Sequence, residues 1–211
     1  MLDQRLQPAR PYAALIFDCD GTLVDTAAAN ETAWRAALET WQVELDPAWY
    51  HARTGLSADR LLAELEAETG AELDHRVVSA AAADAYRWLV DTVAPHPQVV
   101  AVAEAHRGRV PMAVASGGSR GRVRETLRAT GLLPFFDSVV TRDDVREGKP
   151  APDVYLLAAR RLEVLPHACV AYEDTDEGVA AALAAGMEVI DVRPALRDAA
   201  RSGGESAAPI G

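Results

Sequence analysis

The sequence predicts an α/β fold: an open parallel sheet covered by helices, with a helical segment inserted after the first strand. Three observations carry this expectation. Five short apolar runs punctuate the chain, helical patterns separate the last four of them, and the stretch 27–94 shows helical periodicity with almost no strand signal. Strands that alternate with helices imply a parallel sheet with both faces covered, here a Rossmann-like core.

The elements follow in order. AALIF (13–17) is the first buried strand. NETAWRAALETW, SADRLLAELEAETG and DHRVVSAAAADAYRWLVDTV are the helical patterns of the insertion, and the two prolines of APHPQ (94–98) mark the return hinge. MAVA (112–115), SVV (138–140), CVAY (169–172) and EVIDV (188–192) are the remaining strands. RVRETLRATGLL, PDVYLLAARRLEVL and EGVAAALAAG are the helices between them. The expected organisation is a core of residues 1–26 and 95–211 interrupted by a helical unit at 27–94. No internal repeat is visible, and the tail RSGGESAAPIG has the composition of a mobile segment.

A chain of 211 residues is long enough to bury a full core, and 49% hydrophobic with 25% charged residues is ordinary for a globular enzyme or binding protein. The net charge of −11 argues against nucleic acid and anionic membranes as partners. No apolar stretch approaches the roughly 18 residues that span a bilayer, and MLDQRLQPARPY lacks the apolar block of a secretory signal. Cys19 and Cys169 each lie in an apolar run, so we expect buried thiols rather than a disulfide, and a cytoplasmic location. A monomer is the expectation for the assembly, with an oligomer as the open alternative. Of the 21 basic residues only Lys149 is a lysine. A compact ammonium in an arginine-biased chain invites a chemical reason.

Ligands of open parallel sheets bind beyond the carboxyl ends of the strands. Asp18, Asp20, Gly21 and Thr22 follow the first strand, and Ser116, Gly117 and Gly118 follow the second. EGKPAPD, with Lys149, follows the third; Glu173, Asp174 and Asp176 follow the fourth. Asp18, Glu173 and Asp174 crowd negative charge that a cation must offset, and hard oxygen ligands suit Mg²⁺. Lys149 adds positive charge and favours an ionised Asp18. Ser116 with the N–H groups of Gly117 and Gly118 makes a phosphate cradle. A carboxylate facing a phosphate is a nucleophile for phosphoryl transfer, and Asp20 is the acid/base for leaving group and water. Asp18 and Asp20, two apart, point to one side, with Cys19 facing away.

The blander readings are also specific. An EF-hand is excluded because Leu23 stands where its loop needs glycine. Asp25 and Thr26 are expected to cap the first inserted helix. Asp176 suits either the cluster or the dipole of the following helix. Trp34, Trp41, Trp49 and Trp88 are expected in the core of the insertion, with Trp34 bordering substrate. His51, His75, His96, His106 and His167 share no metal spacing.

DCDGT, VASGGS, GKPAPD and YEDTDEG, in that order, resemble the four motifs of the haloacid dehalogenase superfamily of phosphohydrolases. PMAVASGG, FFDSVVTRDDV, GKPAPDVYLLAARRL and YEDTDEGVAAALAAGM resemble the branch holding beta-phosphoglucomutases and fructose-1-phosphate/6-phosphogluconate phosphatases. The resemblance covers nearly the whole chain. It implies a small helical cap in the insertion, Asp18 as nucleophile and Asp20 as acid/base. It also implies Mg²⁺ held by Asp18, the Asp20 carbonyl, Glu173 and Asp174. The implied activity is hydrolysis of a small phosphorylated metabolite, a sugar or polyol phosphate. A mutase is the alternative, but beta-phosphoglucomutases look to a cap histidine where Asn30 stands. They also carry an arginine after G-x-S where GLSA offers Gly55, Ser57 and then Ala58. Arg53 and Arg60 remain as substitutes for that arginine. The idle phosphate-binding protein is the alternative of another class, and no motif is broken in its favour. Asn30, Trp34, Arg53, Gly55 and Ser57 are the candidate cap contacts to substrate, Arg53 offering a charge to the leaving group.

Overall fold

The computed structural model describes residues 3–204. Five parallel strands form the sheet: β1 (Ala14–Phe17), β4 (Met112–Ala115), β5 (Ser138–Val140), β6 (Cys169–Glu173) and β7 (Glu188–Asp191), in the order β5-β4-β1-β6-β7. β1 is central, and all four of its side chains are fully buried, which explains a continuous apolar run rather than an alternating one. Period two divides the strand between two cores. Leu15 and Phe17 pack with Val99, Val102, Val114, Val123 and Leu127 on the face of α5 (Pro97–His106) and α6 (Arg120–Ala129). Ala14 and Ile16 pack with Val154, Tyr155, Ala158 and Ala181 on the face of α7 (Asp153–Arg161) and α8 (Asp176–Ala184).

The inserted residues form α1 (Ala27–Glu39), α2 (Pro47–His51), α3 (Ala58–Thr69) and α4 (His75–Leu89). They have a core of their own, built on Leu38, Tyr50, Leu62, Leu65 and Val78. Local chemistry sets the boundaries of α3. Ser57 Oγ accepts from the Arg60 N–H at its start, and Gly70, at φ +72°, ends it. The two chain crossings between sheet and helices run side by side as an antiparallel ribbon, β2 (Val24–Asp25) with β3 (Ala94–Pro95).

Several details differ from the sequence reading. Trp34, Trp41 and Trp49 pack against the helical core, but Trp88 is 89% exposed and contributes nothing to it. α2 and α5 were not expected. Helix α9 (Arg193–Gly204) takes in the first residues of the expected mobile tail, and the rest of that tail lies outside the described residues. Among the described residues, no helix is long and apolar enough to cross a membrane.

Candidate active site

Lys149 is the hub of the strand-end residues. Its Nζ donates to Asp18 Oδ1 at 2.6 Å and to Glu173 Oε1 at 2.5 Å, and all three side chains are buried. Glu173, the last residue of β6, has both oxygens filled. Oε1 also accepts from the Tyr155 hydroxyl, and Oε2 accepts from the N–H groups of Asp174 and Thr175 and from Thr175 Oγ1. Gly178 on α8 leaves the space: a Cβ there would lie 1.7 Å from Glu173 Oε1.

Burial pushes the Asp18 carboxyl well above its usual range, and Lys149 only partly opposes this. Burial acts the same way on Glu173, but Lys149 and the surrounding donors outweigh it and hold that carboxyl below its usual value. Asp174, whose Oδ1 accepts from Thr22 Oγ1 at 2.8 Å, is pushed up to about 7 by burial and then by Glu173. Burial works against the Lys149 ammonium, yet its two carboxylate partners raise it well above the ordinary lysine value.

Asp20 belongs to a different network. Its Oδ1 accepts from Thr26 Oγ1 at 2.9 Å and its Oδ2 from Arg122 Nη2 at 3.2 Å. Arg122 Nη1 donates to Asn30 Oδ1 at 2.8 Å, and Asn30 Nδ2 donates to Thr26 Oγ1 at 3.1 Å, which closes a ring of four side chains. Thr26 therefore occupies the N-cap position of α1 without capping it, and only Asp25 accepts a bond there, from Ala27 N–H. Arg122 escaped the sequence reading because its partners lie 92 and 102 positions away. A faint signal existed: Arg120, Arg122 and Arg124 crowd the start of α6, where the helix dipole disfavours positive charge.

Ser116 directly follows β4, and its Oγ accepts from the Gly118 N–H at 3.0 Å. Of the expected cradle groups, the Gly118 N–H therefore donates to the serine. Asp18, Asp20, Ser116, Gly117, Gly118, Lys149 and Asp174 line one cleft of about 380 Å³, which the inserted helices roof.

Of the candidate cap contacts, Asn30, Trp34, Arg53, Gly55 and Ser57 all line this cleft. Arg53 is less free than its charge suggests: it pairs with Glu64 at 2.9 Å and lies 4.0 Å over the Trp49 ring. The Ser57 hydroxyl is engaged as the α3 cap, and Gly55 sits directly against Thr175 of the sheet domain. Asp176 stands apart from the cluster, 91% exposed and paired with Arg193. His51 also lines the cleft, held by Glu31.

One oxygen from each of Asp18, Glu173 and Asp174 lies within 4.8 Å of the others, a set of hard donors whose charge one ammonium only partly offsets. Such a set fits a divalent cation. A buried carboxylate beside a lysine and a Ser-Gly-Gly turn, at the carboxyl ends of parallel strands, is a donor set that suits phosphoryl chemistry. The comparisons agree. The haloacid dehalogenase-like hydrolase family matches residues 12–186. Fructose-1-phosphate phosphatase YqaB of Escherichia coli (strain K12) is 40% identical over 183 residues, 86% of this chain and 97% of that one. Beta-phosphoglucomutase of Bacillus subtilis (strain 168) is 27% identical over 189 residues, 85% and 82% of the two chains. The crystal structure of CbbY from Rhodobacter sphaeroides in complex with phosphate aligns with a TM-score of 0.76 at 29% identity, covering 84% of each chain. The chain belongs to the haloacid dehalogenase-like hydrolase family and is a phosphoric monoester hydrolase.

Proposed function

We propose that this enzyme is a Mg²⁺-dependent phosphatase that hydrolyses a small sugar or polyol phosphate through an aspartyl-phosphate on Asp18. The observation that carries the reading is the separation of the two aspartates. Asp18 is buried on Lys149, whereas Asp20 is held by Thr26 and Arg122 at the same cleft. Asp18 attacks phosphorus while Asp20 gives its proton to the departing alkoxide oxygen. Asp20 then takes a proton from water, which attacks the acyl phosphate and releases inorganic phosphate and a free Asp18. Ser116 and the Gly117 N–H hold the phosphoryl oxygens, and Lys149 offsets their charge.

Asp18, Asp174, Glu173 and the Asp20 carbonyl would hold Mg²⁺, with Glu173 also anchoring Lys149. When bound, the cation offsets the charge of the phosphoryl group and of the carboxylates around it. Residues 27–94 act as the lid that excludes water and reads the leaving group. The names of the relatives support a phosphorylated sugar as the substrate class. We place the enzyme in the cytoplasm, where two buried free thiols are at home.

Water rather than a second sugar is the acceptor. Asn30 is bound into the Asp20 ring, Ala58 follows Ser57, and the two substitute arginines are committed, Arg53 to Glu64 and Arg60 to Glu64 and Glu177. The test is phosphate release from a panel of sugar and polyol phosphates with Mg²⁺, with and without chelator. Isomerisation of beta-glucose 1-phosphate without phosphate release would replace this reading with the mutase. Binding without any turnover would replace it with the idle binder.

A further inference from the structure

The cleft is longer than a phosphoryl group needs, and its far wall comes from α1, α4 and α6. Ala33, Ala82 and Ala83 make that wall smooth and apolar, while Asn30, Ser79 and Arg122 place polar atoms on it. Ser79 Oγ is enclosed and meets no hydrogen-bond partner among the described residues. Arg122 is singular because it rises from the sheet domain rather than from the inserted helices. It uses two of its five N–H donors, on Asn30 and Asp20, and its guanidinium lies 5.5 Å over the Tyr86 ring. Buried donors and hydroxyls are rarely left without acceptors, so this wall is built for a ligand that brings them.

The charges narrow the ligand's chemistry. Arg53 is paired with Glu64, His51 with Glu31 and Arg122 with Asp20. Arg142 also lines the cleft but at its phosphoryl end, where its N–H bonds to the Gly118 carbonyl and its side chain packs on Gly148 beside Lys149. Among the described residues, the far wall therefore offers no uncommitted cation to a second phosphate or a carboxylate. It offers hydrogen-bond donors above an apolar surface, which suits the hydroxyls and C–H faces of an uncharged polyol.

We propose that Arg122, steadied by Asn30, determines specificity by hydrogen-bonding the hydroxyls of a neutral, polyhydroxylated leaving group. The inference rests on the phosphatase reading above. It assigns to a core helix the task that an arginine of the inserted helices would otherwise perform. Sites built to bond a hydroxyl discriminate strongly against ligands that lack it.

The experiment compares kcat and KM for three substrates: a polyol monophosphate, a phosphorylated aldonic acid, and p-nitrophenyl phosphate, whose leaving group has no such hydroxyls. The unmutated enzyme is expected to favour the polyol phosphate over the aldonate by at least about tenfold in kcat/KM. Arg122→Ala should lower kcat/KM for the polyol phosphate at least about tenfold more than for p-nitrophenyl phosphate, chiefly through KM, and Arg122→Lys should recover part of it. Asn30→Ala, which frees the same guanidinium without opening the sheet domain, should show the same selectivity and covers the case in which Arg122 variants fold poorly. A loss on the polyol phosphate that falls in kcat with KM unchanged would mean that Arg122 acts only through the proton transfer of Asp20 and would overturn the proposal. So would unchanged kinetics or a preference for the aldonate. Absence of phosphate release from all three by the unmutated enzyme defeats the phosphatase reading itself and takes the proposal with it.

Discussion

Asp18 and Asp20 stand two residues apart and meet different surroundings, which is what lets one chain segment supply two chemical roles. Asp18 must be ionised to attack, and Lys149 at 2.6 Å is the charge that opposes the cost of its burial. Asp20 must exchange a proton, and it sits in a less enclosed hydrogen-bonded ring. Asp18→Asn should therefore abolish phosphate release while leaving the melting temperature within a few degrees of the unmutated value. Residual turnover above about a hundredth would remove Asp18 as nucleophile. Gly178→Ala tests the lysine's anchor without touching a reacting group. Its Cβ would drive into Glu173 Oε1, so we expect a loss of about 2–3 kcal/mol in stability, read by denaturant unfolding, and a large fall in kcat. Wild-type behaviour would show that Glu173 does not fix Lys149. Lys149 was legible because it is the single lysine, and Asp18 because it ends an apolar run. The need for glycine at 178 was not, because the clash is with a residue that only folding brings over it.

Elements of the sheet domain are tied at their ends, and Asp144 is the clearest knot. It follows β5 and accepts from the Thr141 N–H and hydroxyl. It also pairs with Arg120 at the start of α6 and with Arg161 at the end of α7, each at 2.9 Å. Burial alone would raise this carboxyl, but Arg161, Thr141 and their neighbours outweigh it and lower it from 3.8 to about 2. A depressed folded value means that the stabilisation is whole above about pH 4 and is lost as pH falls through 2. Asp144→Asn should thus cost on the order of 1 kcal/mol at neutral pH, after allowing for solvent screening. That difference should shrink towards zero between pH 4 and pH 2 in paired denaturant titrations. A difference independent of pH would assign the knot to shape rather than charge. The strand this knot follows, like the others of the sheet, was readable because buried parallel strands are plain apolar runs. Helix α5 was not: its PQVVAVAEAH is apolar enough on every side to lack helical periodicity, and its β-branched residues imitate a strand. Helix α2 is a single capped turn and a little more, too short for any period to show.

Across the whole molecule, the inserted helices meet the sheet domain along a seam with specific long-range contacts. Arg60 pairs with Glu177, Arg122 bonds Asn30, and Tyr86 shares a buried hydrogen bond with Thr126. The seam was illegible in sequence because each contact joins residues far apart, whereas the helical insertion itself announced its periodicity. Gly55 also lies on this seam, its backbone against Thr175, the residue that caps α8 and helps hold Glu173. At φ +98° Gly55 adopts a backbone that other residues avoid, and a Cβ there would lie 2.7 Å from Thr175 Cγ2. Gly55→Ala should hold the roof off the sheet domain. We expect kcat/KM for a sugar phosphate to fall by about ten- to a hundredfold, while the protein keeps its cooperative unfolding. Thr175→Ser removes the opposing methyl yet keeps the hydroxyl that caps α8, so the double variant should regain part of the loss, though not the part owed to the backbone. A single variant with unaltered kinetics would mean that turnover does not need this closure. A double variant no better than Gly55→Ala would place the whole effect in the backbone strain and none in the seam.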